Sequence, residues 1–503
     1  MPLLRGLELP LAGILLVITL CLESIVHVLR KSTSRIPGPW YTMWTDVVLR
    51  YNMFYGRRGQ YVHKLHAKYG PVVRIGPNQV DMTDMQAYKT IYSTREVFLK
   101  SPWYKVLTGN VVDAMFTTSD PHHHRRIRRL LSAPLSEAAL ASSHALCRKK
   151  AELAVQRMRD ESREKGAADV YKWWMFMTTD IIGELTFGRS FDMLAKSERD
   201  QYAIDVEGIG RTSVFYTTFT PLHRLLRHLP IPVVQRAYRT SRNLASYADE
   251  AVARYKSLAA EEDPGKPHND NDDEDDNDND NHPKLFEKVF TAEKQGAISA
   301  TEIRDNAQSY IVAGSDTTAV TLTYLVWSVC RAPPHVRSAL LAEMAAWGDD
   351  PSAEDLKGKG ARYLNCVVDE TLRLYGAAQT GLPRLVPPGG AVLAGYGLDA
   401  GTTVEAQAYS LHRDGRVFGD PETFDPGRWE GASREMREQL VPFGGGTRAC
   451  IGLHLAKMEL RLGTFLFFRT FPDAEVAAPD DEMNMETFFV LSPKAGRCLI
   501  RVH

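Results

Sequence analysis

The chain has 503 residues, of which 44% are hydrophobic, and its 61 basic and 62 acidic side chains give a formal net charge of -1. This length allows one large domain or two ordinary ones with a sizeable core, and the balanced charge excludes the basic excess expected of a nucleic-acid-binding protein. The six cysteines include no Cys-x-x-Cys pair, which argues against structural zinc or disulfides and indicates a reducing compartment.

An apolar segment begins the chain. Residues 9–29 are mostly apolar, and about 20 such residues suffice for a helix to span a bilayer. Because Arg30, Lys31 and Arg35 follow without a small-residue cleavage site, we predict a single transmembrane helix as a retained anchor at residues 1–32, with the main domain in the cytosol. Glu23 and His27 leave an interfacial helix open as the alternative.

Two prolines separate this anchor from the main domain. Pro37 and Pro39 cannot donate backbone hydrogen bonds, so residues 33–45 are predicted to form a stiff hinge and residues 46–503 the main domain. Residues 72–75 and 79–82 predict a small hairpin, whereas helical spacing dominates from about residue 140 to 330. The predicted fold is mainly α with a minor β region (α+β).

An acidic segment interrupts the helical region at residues 261–283. It consists largely of Asp, Glu and Asn, and like-charge repulsion without apolar residues prevents a packed core. We predict a solvated, disordered surface insertion. Calcium binding is disfavoured because the spacing lacks the glycine and the final glutamate of an EF-hand loop.

A long helix is predicted from a capping box at Ser299 and Glu302 to the prolines at 333–334, about 45 Å at 1.5 Å per residue. In its middle, Gly314 weakens the helix, and the hydroxyl of Thr317 can bond to the carbonyl of Ala313 four residues back. This turn can open a groove for a small ligand beside a hydroxyl and the carboxylate of Asp316. An irregular polar turn without a function is the alternative.

Glu370 and Arg373 have the spacing that places opposite charges on one face of a helix. An exposed pair would contribute only a fraction of a kcal/mol. The apolar residues on either side predict instead that the pair is buried, where it persists only if further hydrogen bonds satisfy it.

The last motif is a glycine-rich loop at residues 443–452, before an apolar helical segment. Cys450 would lie at the start of that helix, where free N–H groups and the helix dipole favour a thiolate. The three glycines at 444–446 let the backbone fold around the sulfur, and Gly452 leaves room for a flat cofactor. A shorter Gly-Gly-Gly-x-x-x-Cys string would also fit a glycine turn that leads to an ordinary buried cysteine.

The ten-residue string resembles the haem-binding loop of the cytochromes P450, Phe-x-x-Gly-x-Arg-x-Cys-x-Gly, at all five fixed positions: Phe443, Gly446, Arg448, Cys450 and Gly452. The resemblance implies that Cys450 is the axial thiolate ligand of haem b (iron protoporphyrin IX). It also implies that residues 313–318, including Ala313, form the oxygen-activating segment, with Thr317 and Asp316 supplying protons.

Further positions follow from the same resemblance. Glu370 and Arg373 correspond to the family's structural Glu-x-x-Arg, and Arg428 to the arginine that completes this network, although Gly427 stands where a glutamate is usual. Arg448, Arg384 and Arg128 are the candidates for pairing with the haem propionates. His124 stands where the family often has a tryptophan and would pair with a propionate by a hydrogen bond.

The resemblance implies a monooxygenase close to fungal microsomal members of secondary metabolism, located in the endoplasmic reticulum membrane. Its expected partners are O2, a lipid bilayer, NADPH-cytochrome P450 reductase, cytochrome b5 and an apolar small molecule such as a polyketide or terpenoid. Residues 103–117, 214–220, 380–382 and 488–491 are predicted to line the substrate pocket. A haem-thiolate isomerase or dehydratase and a non-catalytic haem sensor are the alternatives, which the segment at 313–318 disfavours.

Overall fold

The computed structural model describes residues 19, 22–95, 97–108, 113–199, 201–220, 223–226, 228–261, 286–477 and 479–502. The predicted anchor lies largely outside these residues, apart from a helical stretch at 22–30. Across the described ranges, none of the helices combines the length and the apolar character that crossing a bilayer requires. The predicted acidic insertion also lies outside them, except for Glu261, the last residue of a helix.

Helices dominate the structure. In chain order they are α1 (Val47–Phe54), α2 (Arg58–Tyr69), α3 (Met85–Ile91), α4 (Trp103–Thr108), α5 (Pro121–Ser132), α6 (Glu137–Leu140), α7 (His144–Lys165), α8 (Val170–Phe187), α9 (Met193–Lys196), α10 (Gln201–Thr218), α11 (His223–Leu226), α12 (Pro232–Glu261), α13 (Glu287–Lys294), α14 (Ala300–Arg331), α15 (Pro334–Met344), α16 (Ala353–Lys357), α17 (Arg362–Tyr375), α18 (Ala408–Leu411), α19 (Gly415–Phe418), α20 (Arg434–Gln439) and α21 (Leu453–Thr470).

Short strands form four small sheets. They are β1 (Val72–Gly76), β2 (Gln79–Met82), β3 (Leu99–Lys100), β4 (Ala168–Asp169), β5 (Arg384–Leu385), β6 (Ala391–Leu393), β7 (Tyr396–Leu398), β8 (Thr403–Glu405), β9 (Glu475–Val476), β10 (Met485–Phe488), β11 (Val490–Pro493) and β12 (Leu499–Arg501). The largest sheet has the order β1-β2-β8-β5-β3. Its β1–β2 hairpin confirms the prediction for residues 72–82, and β2 pairs with β8 in parallel.

The predicted hinge packs on this sheet. Two 3-10 turns, Ser32–Arg35 and Trp40–Met43, flank its prolines. The side chain of Arg74 in β1 donates to the carbonyls of Thr33 and Ile36 at 3.0 and 2.8 Å, and its backbone N–H donates to Pro37 at 2.7 Å. These bonds fix the position at which residues 22–30 leave the domain.

Helix α14 crosses the main hydrophobic core with α8, α12, α17 and α21 packed around it. Its capping box at Ser299 and Glu302 confirms the prediction, and its 32 residues correspond to about 48 Å. The helix α14 continues through Gly314. A Cβ at Gly314 would lie 2.5 Å from Cγ1 of Ile182 in α8, so the glycine is needed for close packing between two helices.

Candidate functional site

The loop before α21 presents Cys450. Gly444 and Gly446 adopt φ values of +70° and +64°, a region that L side chains avoid. The N–H of Cys450 donates to the carbonyl of Phe443 at 2.9 Å and closes the loop. A Cβ at Gly452, the residue before α21, would lie 3.8 Å from the sulfur of Cys450. Glycine at this position therefore keeps one side of the sulfur uncovered.

Cys450 is exposed although protein atoms surround its sulfur, and we infer an internal opening at this position. Burial among these atoms raises the pKa of the Cys450 thiol, and the N–H of Gly452 and the charge of Arg128 oppose this effect. The N–H of Gly452 acts in the direction predicted for a helix start, towards the thiolate, and burial is the larger, opposing effect. A metal ion bound at the sulfur would reverse that balance.

The middle of α14 presents a second open surface. Ala313 is exposed and Thr317 is half-buried, although most of the flanking helix is buried. The hydroxyl of Thr317 donates to the carbonyl of Ala313 at 2.7 Å, as predicted. Burial raises the pKa of Tyr310, one turn before Ala313, and the charge of Cys450 adds to this effect. The cysteine loop and this stretch of α14 are therefore neighbours.

Asp316 does not share the exposed face of Thr317. It is buried, and its carboxylate accepts a hydrogen bond from the hydroxyl of Tyr171 in α8 at 2.9 Å. Burial raises the pKa of Asp316 to about 7, with the bond from Tyr171 opposing the shift. Near neutral pH this carboxyl group can therefore hold or release a proton.

Four cations meet around His124. Burial, together with the charges of Arg448, Lys100, Arg128 and Arg384, lowers the pKa of His124 to about 3. The guanidinium of Arg448 donates to the carbonyl of Thr118 at 2.9 Å, and that of Arg128 to Ala449 at 2.8 Å. Nε of the buried Arg384 has no hydrogen-bond partner among the described residues. Because like charges repel, a cluster of this kind fits an anionic group held between its members.

Glu370, Arg373 and Arg428 form one buried network. Glu370 and Arg373 are 0% exposed and pair through two bonds of 2.8 Å. Arg428 donates to Glu370 at 3.0 Å, as does Nε1 of Trp429 at 2.9 Å. Arg428 also donates to the carbonyl of Asp420 at 3.0 Å. The glycine at 427 thus leaves Arg428 in place, held by backbone carbonyls.

The structure adds three residues to which the sequence assigned no role. Lys100 was not predicted, but it is buried and its ammonium lies 4.5 Å from the ring centre of Tyr104. Nδ1 of His412 lies 2.9 Å from the carbonyl oxygen of Arg373, and Nε2 accepts a hydrogen bond from the N–H of Val441, also at 2.9 Å. Val441 is two residues before Phe443. Tyr171 holds Asp316. The string His412-Arg413-Asp414 was the one available signal, and it concerns only His412. Lys100 and Tyr171 gave no signal, because the groups around them come from segments that are distant in sequence.

Four segments predicted to line a pocket meet at one cleft. Its walls include Trp103, Leu107, Val214, Thr217, Thr380 and Phe489. Phe489 adopts a φ of +79° at the tip of the β10–β11 hairpin, a strained conformation for a side chain of this size. Its ring lies 6.0 Å from that of Trp103 and 5.7 Å from that of Phe116.

The residues around the opening fit a flat, metal-containing group with an acidic edge. The accessible sulfur of Cys450 offers a ligand, Gly452 leaves it uncovered, and the cations around His124 suit carboxylates. Haem b combines these properties. In that arrangement Cys450 would hold the iron, and Arg448, Arg384, Arg128 and Lys100 would hold the two propionates.

Comparison with known proteins gives a consistent result. A family model described as Cytochrome P450 matches residues 35–499. The chain is 40% identical over 496 residues to the cytochrome P450 monooxygenase tazI of Aspergillus terreus, covering 98% of both chains. It is 37% identical to the cytochrome P450 monooxygenase orf2 of Aspergillus niger, covering 99% of this chain and 98% of the relative. It is 34% identical to the cytochrome P450 monooxygenase aflV of Aspergillus parasiticus, covering 93% of this chain and 91% of the relative.

Proposed function

The chain belongs to the cytochrome P450 family and is a haem-thiolate monooxygenase, and from this premise we propose that it uses NADPH-derived electrons to hydroxylate, epoxidise or desaturate an apolar secondary metabolite. The observation that carries the proposal is the accessible sulfur of Cys450 beside the open face of α14 at Ala313 and Thr317. Family members bind haem b through a cysteine thiolate, and the four cations around His124 suit its acidic edge.

Haem and the protein would contribute different parts of the reaction. Haem bound through a thiolate activates dioxygen, because the thiolate donates electron density that favours cleavage of the O–O bond. The protein supplies the ligand, the placement of substrate and the protons. Cys450 is held by its loop, and the network around Glu370 and His412 fixes the backbone that leads into that loop.

Thr317 and Asp316 are the proposed source of protons. The hydroxyl of Thr317 lies on the open face of α14, with Ala313 accepting its hydrogen bond. Asp316 lies on the neighbouring flank as a carboxyl group whose pKa burial raises to about 7, so it can carry a proton at neutral pH. In the proposed relay, Asp316 passes a proton through water to the open face, where Thr317 positions it.

NADPH-cytochrome P450 reductase and cytochrome b5 are the proposed electron donors. The cysteine side carries Arg125 and Arg129, which are exposed and suit an acidic partner. We propose that Arg126, Lys457 and Arg461 belong to the same face, where each of them also has a partner within the chain. Arg126 pairs with Glu302, Lys457 with Asp369 at 3.3 Å, and Arg461 donates to Asn365 at 2.8 Å.

We further propose that the catalytic domain lies on the cytosolic side of the endoplasmic reticulum membrane, anchored by residues 1–32. An apolar patch near the hinge supports this proposal. Trp40 is 76% exposed and Val47 62%, and Leu225 on α11 is 71% exposed. Phe54 in α1 packs on Phe219 at 5.9 Å, which brings the two segments to one side of the molecule.

Deletion of residues 1–32 tests the anchor. Insertion of an apolar helix is not screened by salt, so high salt should leave the full-length chain in the membrane fraction, whereas the deletion should release most of it. Release of the full-length chain by salt alone would contradict a spanning anchor.

The activity itself is tested by consumption of oxygen and NADPH with reductase present. A monooxygenase consumes both with each turnover, and a substrate found by a haem spin-state screen should increase the rate. An isomerase or a dehydratase would convert substrate without NADPH, and a sensor would bind ligand without any turnover.

A further inference from the structure

The cleft lined by Trp103 and Phe489 ends at a pair of buried charges that the proposed chemistry does not use. Arg58 in α2 and Glu405 in β8 both line the cleft. They are 9% and 3% exposed, and Nη2 of Arg58 donates to Oε1 of Glu405. Gly381 allows this approach, since a Cβ there would clash with the Glu405 carboxyl group.

This end of the cleft is separated from the cation cluster by one layer of strand. Ser101 and Pro383 line the cleft, and the residues adjacent to them in the chain, Lys100 and Arg384, belong to the cluster around His124. The N–H of Ser101 donates to the carbonyl of Pro383 at 3.2 Å, which extends the pairing of β3 with β5 by one residue, and successive residues of extended backbone point to opposite sides. A molecule in the cleft therefore lies next to the haem side of the proposed active site.

Arg58 has an unused donor. Its Nη1 is buried and has no hydrogen-bond partner within the described part of the chain, and a buried donor without a partner is unfavourable. The hydroxyls of Thr380 and Thr487 also line the cleft, and none of the hydrogen bonds among the described residues uses them. This wall therefore has spare capacity for hydrogen bonds to a ligand.

The charges around Arg58 indicate which kind of oxygen can accept a hydrogen bond from its Nη1. Glu405 lies directly opposite Asp81 on the parallel strands β2 and β8, so both carboxyl groups face the same side. Burial raises the pKa of Glu405 to about 7. The charge of Arg58 opposes this shift, and the charge of Asp81 adds to it. His66 bonds to Asp81 at 2.8 Å. A ligand carboxylate would approach two acidic groups, whereas a neutral oxygen would meet no such repulsion.

We propose that Arg58, held by Glu405, is a specificity-determining residue that binds a neutral carbonyl or hydroxyl oxygen of the substrate, while Trp103 and Phe489 pack against an aromatic part of the same molecule. This inference rests on the proposed function and specifies its substrate class: an oxygenated aromatic compound in place of a plain hydrocarbon or an acid.

Three probes of matched shape test the proposal: 2-acetylnaphthalene, 2-ethylnaphthalene and 2-naphthoate. Their binding to the haem-loaded full-length protein is measured by calorimetry at pH 8, where Glu405 is mostly ionised. Wild-type protein should bind the ketone at least about ten-fold more tightly than the ethyl compound, and the carboxylate most weakly. Equal binding of ketone and ethyl compound would overturn the inference.

Two variants identify the residues responsible. The double variant Arg58→Gln/Glu405→Gln replaces the ion pair by two amides and should lose the preference for the ketone; a retained preference would contradict the assignment. Glu405→Gln alone removes one repelling charge and should tighten binding of 2-naphthoate several-fold, and no gain would overturn the charge argument even if the double variant fails to fold. Glu459→Gln, which changes another buried carboxyl group outside the cleft lining, is the matched control and should keep all three affinities.

The test separates this inference from the proposed function. If wild-type protein shows the carbon monoxide spectrum of a thiolate-ligated haem but binds the ketone and the ethyl compound equally, only the substrate class is contradicted. Absence of that spectrum would contradict the haem-thiolate function itself.

Discussion

Thr317 and Asp316 are adjacent in the chain but lie in different surroundings. Thr317 faces the opening with its hydroxyl bonded to Ala313, whereas Asp316 is buried against Tyr171. Adjacent residues of a helix point about 100° apart. The pair can therefore divide its work, with a buried carboxyl group that stores a proton and an exposed hydroxyl that positions it.

Thr317→Ala should separate NADPH consumption from product formation. The variant should keep haem and substrate binding, but its ratio of product to NADPH consumed should fall because hydrogen peroxide forms instead. Positioned acids contribute about 10²–10⁴-fold to rate. Thr323→Ala, which removes a hydroxyl from the buried side of the same helix, is the control. An unchanged ratio in Thr317→Ala would remove this hydroxyl from the mechanism.

Glu459 in α21 predicts a pH dependence of stability. Burial raises the pKa of this carboxyl group from 4.5 to about 8, with a bond from Thr318 opposing the shift. Because the folded protein favours the neutral form of this carboxyl group, its contribution to stability is fully present below about pH 4.5 and is lost as the pH rises towards 8. Glu459→Gln cannot ionise and should not lose this contribution. The free energy of unfolding of the variant minus that of wild type should therefore be larger at pH 9 than at pH 5, by about 3–5 kcal/mol.

Denaturant unfolding of the haem-loaded proteins at the two pH values measures this difference. The exposed Glu435 offers the control Glu435→Gln, which should show little change between them. A stability difference between wild type and Glu459→Gln that is independent of pH would mean that Glu459 is not a buried neutral acid.

At the scale of elements, contact between α14 and α8 decides the role of Gly314. The predicted Cβ clash with Ile182 means that Gly314→Ala should destabilise the protein by about 1–3 kcal/mol. Gly208 in α10 has no atom within 4 Å of its Cβ position, so Gly208→Ala should instead stabilise by about 0.4–1 kcal/mol. Thermal unfolding of both variants checks the pair, and a stable Gly314→Ala would refute close packing as the reason for the glycine.

The buried network predicts a second effect at this scale. Glu370→Ala would leave Arg373 and Arg428 without their carboxylate, which typically destabilises by about 3–5 kcal/mol. Little haem-loaded protein should result, measured as haem absorbance per amount of protein. Glu152 forms a half-exposed pair with Arg148, and Glu152→Ala should change the loading very little. A fully loaded Glu370→Ala enzyme would contradict the structural role.

Local patterns predicted some elements and not others. The capping box of α14, the hairpin of β1 and β2, and the burial of Glu370 follow from residues close together in sequence. The close packing of Gly314 on Ile182, more than a hundred positions away, could not be predicted from helix propensity. The role of Lys100 and the partner of Asp316 were missed for the same reason, since both depend on contacts between distant segments.

On the scale of the whole molecule, the loop motif carries more information than its local physics. Helix-end electrostatics predicted a thiolate at Cys450, but the net effect of the surrounding protein raises the pKa of the thiol. The prediction of haem came from the complete ten-residue pattern and its family resemblance. The fold then explains the fit, because segments from residue 100 to residue 450 meet around one opening.

The carbon monoxide difference spectrum of the reduced protein tests the central claim most directly. Wild-type protein should show the strongly red-shifted band of a thiolate-ligated haem, because Cys450 supplies the axial sulfur. Cys450→Ser should lose this band, whereas Cys366→Ser, at a buried cysteine in α17, should keep it. A well-folded, haem-loaded wild-type protein without the red-shifted band, or a Cys450→Ser variant that retains it, would contradict the account.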